Sequence, residues 1–340
     1  MNTADHSPQS PQSPWKIDEK NFPAEGSLPE QIRFLLGYAI LAPSSHNAQP
    51  WCFEIGEDGR LRIYADYDGW LRVADADQRE LHLSIGCAIE NLVIAARRFG
   101  MAARIEYLPD PQNKALIADI SFDKAGAREL GGLTVLFDAL PIRQTNHKTF
   151  DHRPIEQAVL QIFQQCCEEP GIDLFLTSEE EIRQRFGELI VGSDAATFAN
   201  ADYREELAYW IGKGVFGTSW LMSQIGRMAM ANLNFGKMTA RSDESVLMSA
   251  PVMGVISSYA NDRVSQVRGG QVFERIYLTG ARLGIGIRPM SQICQVPWQK
   301  KALAELIPPG GLTPLQPFLL GYVAISQEHT PRKSVAEVLR

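Results

Sequence analysis

The stretch APSSHNAQPW, residues 42–51, joins a predicted helix to a predicted strand and concentrates short polar side chains between two prolines. Before it, apolar residues recur at helical spacing from Ile32 to Ile40. After it, apolar residues alternate from Trp51 to Ile55, which is typical of a strand. A loop of this kind can hold hydroxyl and amide groups rigidly toward a polar ligand. A helix cap followed by a turn also accounts for the same residues.

An internal repeat is the second strong signal. The stretch GCAIENLVIAARRFG, residues 86–100, aligns without a gap with GQVFERIYLTGARLG, residues 270–284. Glycines match at both ends, and Glu90 matches Glu274, at one offset of 184 residues from 86 to 270. The pattern predicts two related halves, each with a buried helix that ends at glycine. The competing explanation is that two buried helices share core spacing and a glycine cap by chance.

Composition bounds the class of protein. The chain has 340 residues, of which 45% are apolar and 21% charged, so it is long enough for two globular domains or one domain built twice. With 33 basic and 40 acidic residues its net charge is -7, which disfavours nucleic acid as the main partner. No apolar run approaches the roughly 18 residues of a membrane-spanning helix. The five cysteines are odd in number and lack CxxC spacing, which favours the reducing cytoplasm over a disulfide framework or a zinc site.

Two segments have distinctive compositions. Residues 1–26 repeat Ser, Pro and Gln and are predicted to form a disordered arm, because such residues bury too little apolar surface to offset the ordering entropy. Residues 213–249 are rich in Gly, Met, Asn and Ser, which suits either an adaptable segment packed over another surface or an amphipathic helix with Met as filler. We expect a first half at 27–130 and a second half at 131–340, with a lid insertion at about 200–249 and a C-terminal tail.

One acidic stretch is not expected to bind metal. The four residues with possible metal-ligating side chains have spacing that fits no usual ligand pattern, and a solvated helix start explains them. They are Asp75, Asp77, Glu80 and His82.

Three elements of the chain resemble those of one known family. The stretch APSSHNAQPW is similar to the APSxxNxQPW element of the nitroreductase superfamily of FMN-dependent oxidoreductases. The stretch PIRQTNHKTFDHRPI, residues 141–155, resembles the RxSxRxF opening of a nitroreductase unit. The stretch RKSVAE, residues 332–337, resembles the tail that brings another arginine to the flavin phosphate. The arrangement is similar to that of the Acg-like branch, in which one chain resembles a fused nitroreductase dimer.

The resemblance implies an α+β fold with two tandem nitroreductase-type halves that form an intrachain pseudo-dimer. A mixed or antiparallel sheet is expected in each half, with helices at the pseudo-dimer interface. Each flavin-binding element occurs once in the sequence, so one complete FMN site per chain is expected and the pseudo-symmetric site should be vestigial. A monomer is compatible with this arrangement.

The resemblance also assigns site residues. The polar loop should line the flavin, Arg143 and Thr145 should meet its phosphate and ribityl chain, and Arg332 should bring a second cation to the phosphate. The expected donor near flavin N1 is His147, with Lys148 as the alternative because the spacing to the following phenylalanine is one residue longer than in the family. An ordinary surface histidine is the competing explanation for His147. A glycine-rich turn should approach the ring edge. Its arginine either binds the ring or a substrate anion, or is simply a solvated loop residue. The loop and turn residues are Pro43, Ser44, Ser45, Asn47, Gln49, Gly286 and Arg288.

The implied function is FMN-dependent oxidoreduction in two half-reactions. NAD(P)H reduces the flavin and leaves, and a small oxidised acceptor such as a nitroaromatic or a quinone replaces it. No protein side chain is assigned as catalytic, because flavin N5 carries the chemistry, and no metal is expected. The alternative function is a flavin-binding or flavin-sequestering protein with a lid-covered flavin and little nitroreductase activity.

Overall fold

The computed structural model describes residues 13–124, 132–216, 249–323 and 329–340. Within these ranges the chain combines helices with two antiparallel sheets, which confirms the predicted α+β class. The lid predicted at about 200–249 falls largely outside the described residues, because the description stops at 216 and resumes at 249. In the described part of the chain, no helix has the length and apolar character needed to cross a membrane.

The first half contains a four-stranded antiparallel sheet with the strand order β1-β2-β4-β3. Helix α1 begins at a capping box, in which the side chains of Ser27 and Glu30 each accept a hydrogen bond from the backbone N–H of the other residue. Strands β1 and β2 form a hairpin, and Gly59 takes a positive φ of 74° in its turn. The elements are α1 (Leu28–Ala39), β1 (Trp51–Ile55), β2 (Leu61–Ala65), α2 (Arg79–Arg98), β3 (Met101–Tyr107) and β4 (Leu116–Lys124).

The second half repeats the strand order of the first half, as β5-β6-β8-β7. Its strand β6 is buried along its whole length, as expected for a central strand covered on both faces. The elements are α3 (Gln157–Gln164), β5 (Ile172–Thr177), α4 (Glu180–Ala199), α5 (Ala201–Gly212), β6 (Val252–Ser258), α6 (Arg263–Leu283), β7 (Ile285–Pro289), α7 (Gln292–Gln295), α8 (Pro297–Leu306), β8 (Thr313–Tyr322) and α9 (Val335–Val338).

Helices α2 and α6 form the interface between the halves. A Cβ on Gly86 would lie 2.0 Å from the Val267 carbonyl oxygen, and a Cβ on Gly270 would lie 2.1 Å from the Leu83 carbonyl oxygen. These two contacts are equivalent at the repeat offset, as in an isologous dimer interface. The side chains of His82 and Gln266, which are 184 residues apart, contact each other at 2.7 Å. The repeat in the sequence is therefore a structural repeat with a pseudo-twofold axis, and chance similarity does not account for it.

The N-terminal segment differs from the prediction of a disordered arm. From residue 13 onward the chain packs against the first half, and the Phe22 ring stacks on Phe99 with centroids 4.2 Å apart. Ile17 and Trp15 are also packed against the core. The physical reason is that these apolar side chains bury surface that the surrounding Ser, Pro and Gln residues do not offer. The predicted arm before residue 13 lies outside the described residues.

The C-terminal tail crosses from the second half to the first. The Arg340 N–H donates to the Phe53 carbonyl at 2.8 Å, and Leu339 forms an isolated parallel bridge with Phe53 of β1. Helix α9 begins at a capping box between Ser334 and Glu337. Because both ends of α9 are fixed, the residues just before it are held beside the loop that precedes β1.

Candidate functional site

The polar loop, residues 42–50, has an unusual backbone. His46, Asn47 and Gln49 have φ angles of 50°, 52° and 53°, in the left-handed region that residues other than glycine rarely adopt. The Ser44 Oγ atom accepts a hydrogen bond from the Gln49 N–H at 2.9 Å, which closes the loop on itself. Pro43, at its start, is half-buried. Such strain persists only where the surrounding structure enforces it, and it is concentrated at functional sites.

Asn47 and Gln49 attach the C-terminal tail to the polar loop. The Asn47 Oδ1 atom accepts from Arg332 Nη1 at 2.6 Å, and Asn47 Nδ2 donates to the Pro331 carbonyl at 2.8 Å. The Gln49 Oε1 atom accepts from the Lys333 N–H at 2.9 Å. Both predicted cofactor ligands therefore use their amide groups within the chain, where they position Arg332.

Two buried arginines, which we call the arginine pair, meet beside the polar loop. The Arg143 Nη2 atom donates to the Leu41 carbonyl at 3.5 Å, and Arg332 Nη2 donates to the same carbonyl at 3.3 Å. Arg143 Nε and Nη1 and Arg332 Nε have no hydrogen-bond partner among the described residues. Burial, together with the nearby charge of Arg143, lowers the pKa of Arg332 to about 9. An anion with several acceptor oxygens would satisfy these donors and both charges.

A buried glutamate lies behind the arginine pair. Glu274 of α6 is fully buried, and its Oε1 atom is 3.7 Å from Arg143 Nε. In the amide orientation that satisfies both of its neighbours, Asn91 donates to Glu274 Oε1 at 2.9 Å and accepts from the Ala42 N–H at 3.1 Å. Burial raises the pKa of Glu274 to about 7, although the nearby Arg143 opposes this effect. Even with this carboxyl ionised, the two guanidinium groups leave the site with a net positive charge.

Thr145 and Gly286 lie where the opening of the second half meets β7. The Thr145 Oγ1 atom is 3.1 Å from the Tyr277 hydroxyl, and the Asn146 N–H donates to the Ile287 carbonyl at 2.9 Å. A Cβ on Gly286 would lie 3.1 Å from the Asn146 Cβ. Glycine is therefore required here for the packing of this segment on β7, whereas the sequence predicts that it allows close approach to a ring.

His147 and Arg288 come together at the surface. Arg288 Nη1 donates to the His147 carbonyl at 3.2 Å. The side chains of His147 and Lys148 are both exposed, in contrast to the buried arginine pair. The structure thus brings Arg288 and His147 together at the surface, whereas Arg143 and Arg332 meet in the interior beside the polar loop.

The predicted solvated start of α2 is wrong. Asp75, Glu80 and His82 are each no more than 3% exposed. The Asp75 carboxylate caps α2 by accepting from the Glu80 N–H at 2.8 Å, and Ser45 Oγ donates to the Glu80 carboxylate. Burial and the charge of Glu80 raise the pKa of Asp75. These side chains fix the polar loop to α2, and the described residues contain no group of side chains suited to a metal ion.

The pseudo-equivalent position in the other half is closed by an internal ion pair. At the repeat offset, Glu90 corresponds to Glu274, and Arg275 corresponds to Asn91. Arg275 donates to Glu90 Oε1 at 2.7 Å and Oε2 at 3.0 Å, and to Glu169 Oε1 at 2.7 Å. Arg275 thus occupies the position that corresponds to Asn91, the neutral amide beside the arginine pair.

Residues that the motifs do not predict complete the surroundings of the arginine pair. Glu274 has a signal in the sequence, since Glu90 and Glu274 match in the repeat and a charged residue on a buried helix face is rare. Trp15 is the one tryptophan in the Ser-Pro-Gln arm, but composition alone gives it no partner. Asn91 and His329 have no distinguishing motif, and only the fold brings them to the site.

Comparisons with known proteins agree with this arrangement. No protein-family model matches the chain. A Mycobacterium tuberculosis H37Rv protein, provisionally named an NAD(P)H nitroreductase, is 24% identical over 320 residues, covering 91% of each chain. A second protein of that strain, provisionally named the NAD(P)H nitroreductase Acg, is 24% identical over 322 residues, covering 90% of this chain and 94% of that protein. A crystal structure from Anabaena variabilis, provisionally named a nitroreductase, has a TM-score of 0.50 at 10% identity and covers 78% of this chain and 69% of that chain, which shows the fold.

Proposed function

Since the chain belongs to the nitroreductase superfamily, in its Acg-like branch, we propose that it is an FMN-dependent NAD(P)H oxidoreductase that acts on small molecules. The observation that carries this proposal is the arginine pair. Two guanidinium groups that share one carbonyl and keep buried N–H donors unsatisfied are costly unless an anion completes them. The terminal phosphate of FMN is an anion of the required charge and number of acceptor oxygens.

The residues of the site divide the work of binding. Arg143 and Arg332 hold the phosphate, and Asn47 keeps Arg332 in place through its 2.6 Å hydrogen bond. Glu274, 3.7 Å from Arg143 Nε, limits the repulsion between the two arginines, and its single carboxyl does not cancel their attraction for an anion. The polar loop, anchored through Ser45 to Glu80, offers a rigid edge for the flavin ring. Bound FMN supplies the redox chemistry, accepting a hydride from NAD(P)H and passing electrons to an oxidised acceptor.

The acceptor that we propose is a nitroaromatic or a quinone. Both are small, flat and reducible by two electrons, so either could accept the electrons that bound FMN would supply. The role of the chain is then to orient each substrate in turn and to keep water from the reduced cofactor.

One observation favours the second candidate function, flavin sequestration. The chain after α5 lies on the polar loop, where Asn47 Nδ2 donates to the Val215 carbonyl at 2.7 Å and the His46 ring lies 5.5 Å from the Phe216 ring. A segment in this position restricts access to the loop from one side. A flavin held under it would bind tightly and turn over slowly.

Anaerobic reduction separates the two functions. Mixing the FMN-loaded chain with NADPH or NADH should bleach the oxidised flavin absorbance, and adding a nitroaromatic or a quinone should restore it. Free FMN under the same conditions is the control for reduction that does not involve the protein. If neither nicotinamide reduces a flavin that stays bound, oxidoreduction by NAD(P)H is contradicted and sequestration is favoured.

We expect one FMN per chain. The arginine pair and the polar loop are built once, and the pseudo-equivalent position contains the ion pair of Arg275 with Glu90 and Glu169. Flavin absorbance and phosphate content, both measured on denatured holoprotein of known concentration, should give a ratio of one. A ratio of two would show that the ion pair does not close the second side.

A further inference from the structure

The N-terminal segment and the C-terminal tail flank an open cavity beside Arg332. It has a volume of about 590 Å³ and is lined by residues 13–16 on one side and 329–332 on the other. The second segment ends in Arg332, so one member of the arginine pair lines the cavity. The N-terminal segment therefore forms a wall of the candidate cofactor site, although no family motif includes it.

Trp15 is fixed in this wall by three contacts. Its Nε1 atom donates to the Thr330 carbonyl at 3.0 Å. Its ring stacks on the His329 ring, with centroids 4.1 Å apart and planes inclined by 18°. The Arg332 guanidinium lies over the same ring at 4.8 Å from its centroid. Trp15 thus holds the orientation of both His329 and Arg332 through ring contacts, and its hydrogen bond to Thr330 fixes the indole ring itself.

His329 has a polar atom that the described residues leave without a partner. Its Nδ1 atom is buried and makes no hydrogen bond within the described part of the chain. Burial and the charges of Arg143 and Arg332 lower the pKa of His329. A neutral imidazole can still donate one N–H, and an imidazole next to two guanidinium groups is well placed to contact an anion that they hold.

We propose that Trp15 and His329 complete the phosphate end of the cofactor site. His329 donates an imidazole N–H to the phosphate as a third ligand beside Arg143 and Arg332. Trp15 is a positioning residue that holds His329 and Arg332 and separates the phosphate from solvent. This inference rests on the proposed function and adds to it that the N-terminal segment takes part in cofactor binding.

A purely structural role of the stacked rings makes a different prediction. If Trp15 and His329 only attach the N-terminal segment to the protein, their loss affects every flavin equally or none at all. If they act on the phosphate, their loss affects FMN and spares riboflavin, which has the same ring and ribityl chain but no phosphate.

The test is a titration of the apoprotein with FMN and with riboflavin, followed by flavin fluorescence. His329→Phe keeps an aromatic ring on Trp15 and removes the imidazole N–H. We expect it to weaken FMN binding by about ten-fold or more, the range for a lost hydrogen bond to a charged group, and to leave riboflavin binding unchanged. Trp15→Ala should do the same, Trp15→Phe should lose less, and Trp298→Ala, at an exposed tryptophan of α8, should lose nothing.

The outcomes separate this inference from the proposed function. If the unaltered chain binds FMN and His329→Phe binds it equally well, the inference is wrong while the function stands. Equal losses for FMN and riboflavin would also overturn it, because they indicate a structural role. If the unaltered chain binds neither flavin, the proposed function fails, and this inference fails with it.

Discussion

Arg143→Ala should weaken FMN binding by one to two orders of magnitude. Arg143 is 3% exposed, and its Nε and Nη1 atoms have no hydrogen-bond partner among the described residues, so its charge is available to the phosphate. A guanidinium binds phosphate oxygens in pairs, and loss of such charge-assisted hydrogen bonds costs about 1.5–3 kcal/mol. Dissociation constants from fluorescence titration of the apoprotein measure the effect.

Lys148→Ala is the matched control for this substitution. Lys148 lies five residues further along the same segment and carries the same charge, but its side chain is exposed. Its removal lowers the net charge of the chain by the same amount without removing a buried ligand, so FMN affinity should change little. Similar dissociation constants for the two variants would remove Arg143 from the phosphate site. Arg143→Lys should fall between them, because an ammonium keeps the charge and loses the fork of donors.

Gly270→Ala should destabilise the whole fold. The added Cβ would lie 2.1 Å from the Leu83 carbonyl oxygen, a contact with backbone that no side-chain rotation can relieve. Helices α2 and α6 would have to separate along the interface that joins the halves, and overpacking of this kind costs about 3 kcal/mol or more. The measurement is urea denaturation followed by circular dichroism, with the expected shift to a lower midpoint.

Two further glycines test the reason for this loss. Gly86 is the repeat equivalent of Gly270, and its Cβ would lie 2.0 Å from the Val267 carbonyl oxygen, so Gly86→Ala should cost a similar amount. Gly212, at the end of α5, has nothing within 4 Å of its Cβ position. Gly212→Ala should leave stability unchanged or raise it by up to about 1 kcal/mol, through helix propensity alone. A normal midpoint for Gly270→Ala would contradict the close approach of the two helices.

The sequence predicted the repeated framework well, because periodic apolar residues and glycines report directly on buried helices and strands. The repeat predicts a buried helix that ends at glycine, and α2 ends at Arg98, two residues before Gly100. The long-range contacts were harder to predict. Nothing in local periodicity indicates that Trp15 stacks on a ring more than 300 positions away, or that Asp75 is buried at the start of α2. These contacts depend on how the halves are joined, which single-residue patterns do not encode.

The site residues, too, were predictable from local motifs only in part. The motifs identified the segments that the fold brings together, and Arg143 and Arg332 do meet. The motifs did not show which of their residues are available to a cofactor and which hold neighbouring parts of the chain in place. Asn47 and Gln49 bind the C-terminal tail, and Gly286 makes room for its neighbour, because hydrogen-bond partners depend on which segment lies opposite.

The covalent link between the halves has a consequence for behaviour on dilution. The candidate site takes Asn47 from one half and Arg143 and Arg332 from the other, and the tail that carries Arg332 ends against β1 of the first half. In a protein whose site is shared by two separate chains, lowering the concentration dissociates the subunits and releases the cofactor by mass action. In this chain the two contributions meet at an effective concentration set by the connecting polypeptide. The fraction of flavin retained should therefore depend on the concentration of free flavin and not on how many protein molecules are present to pair.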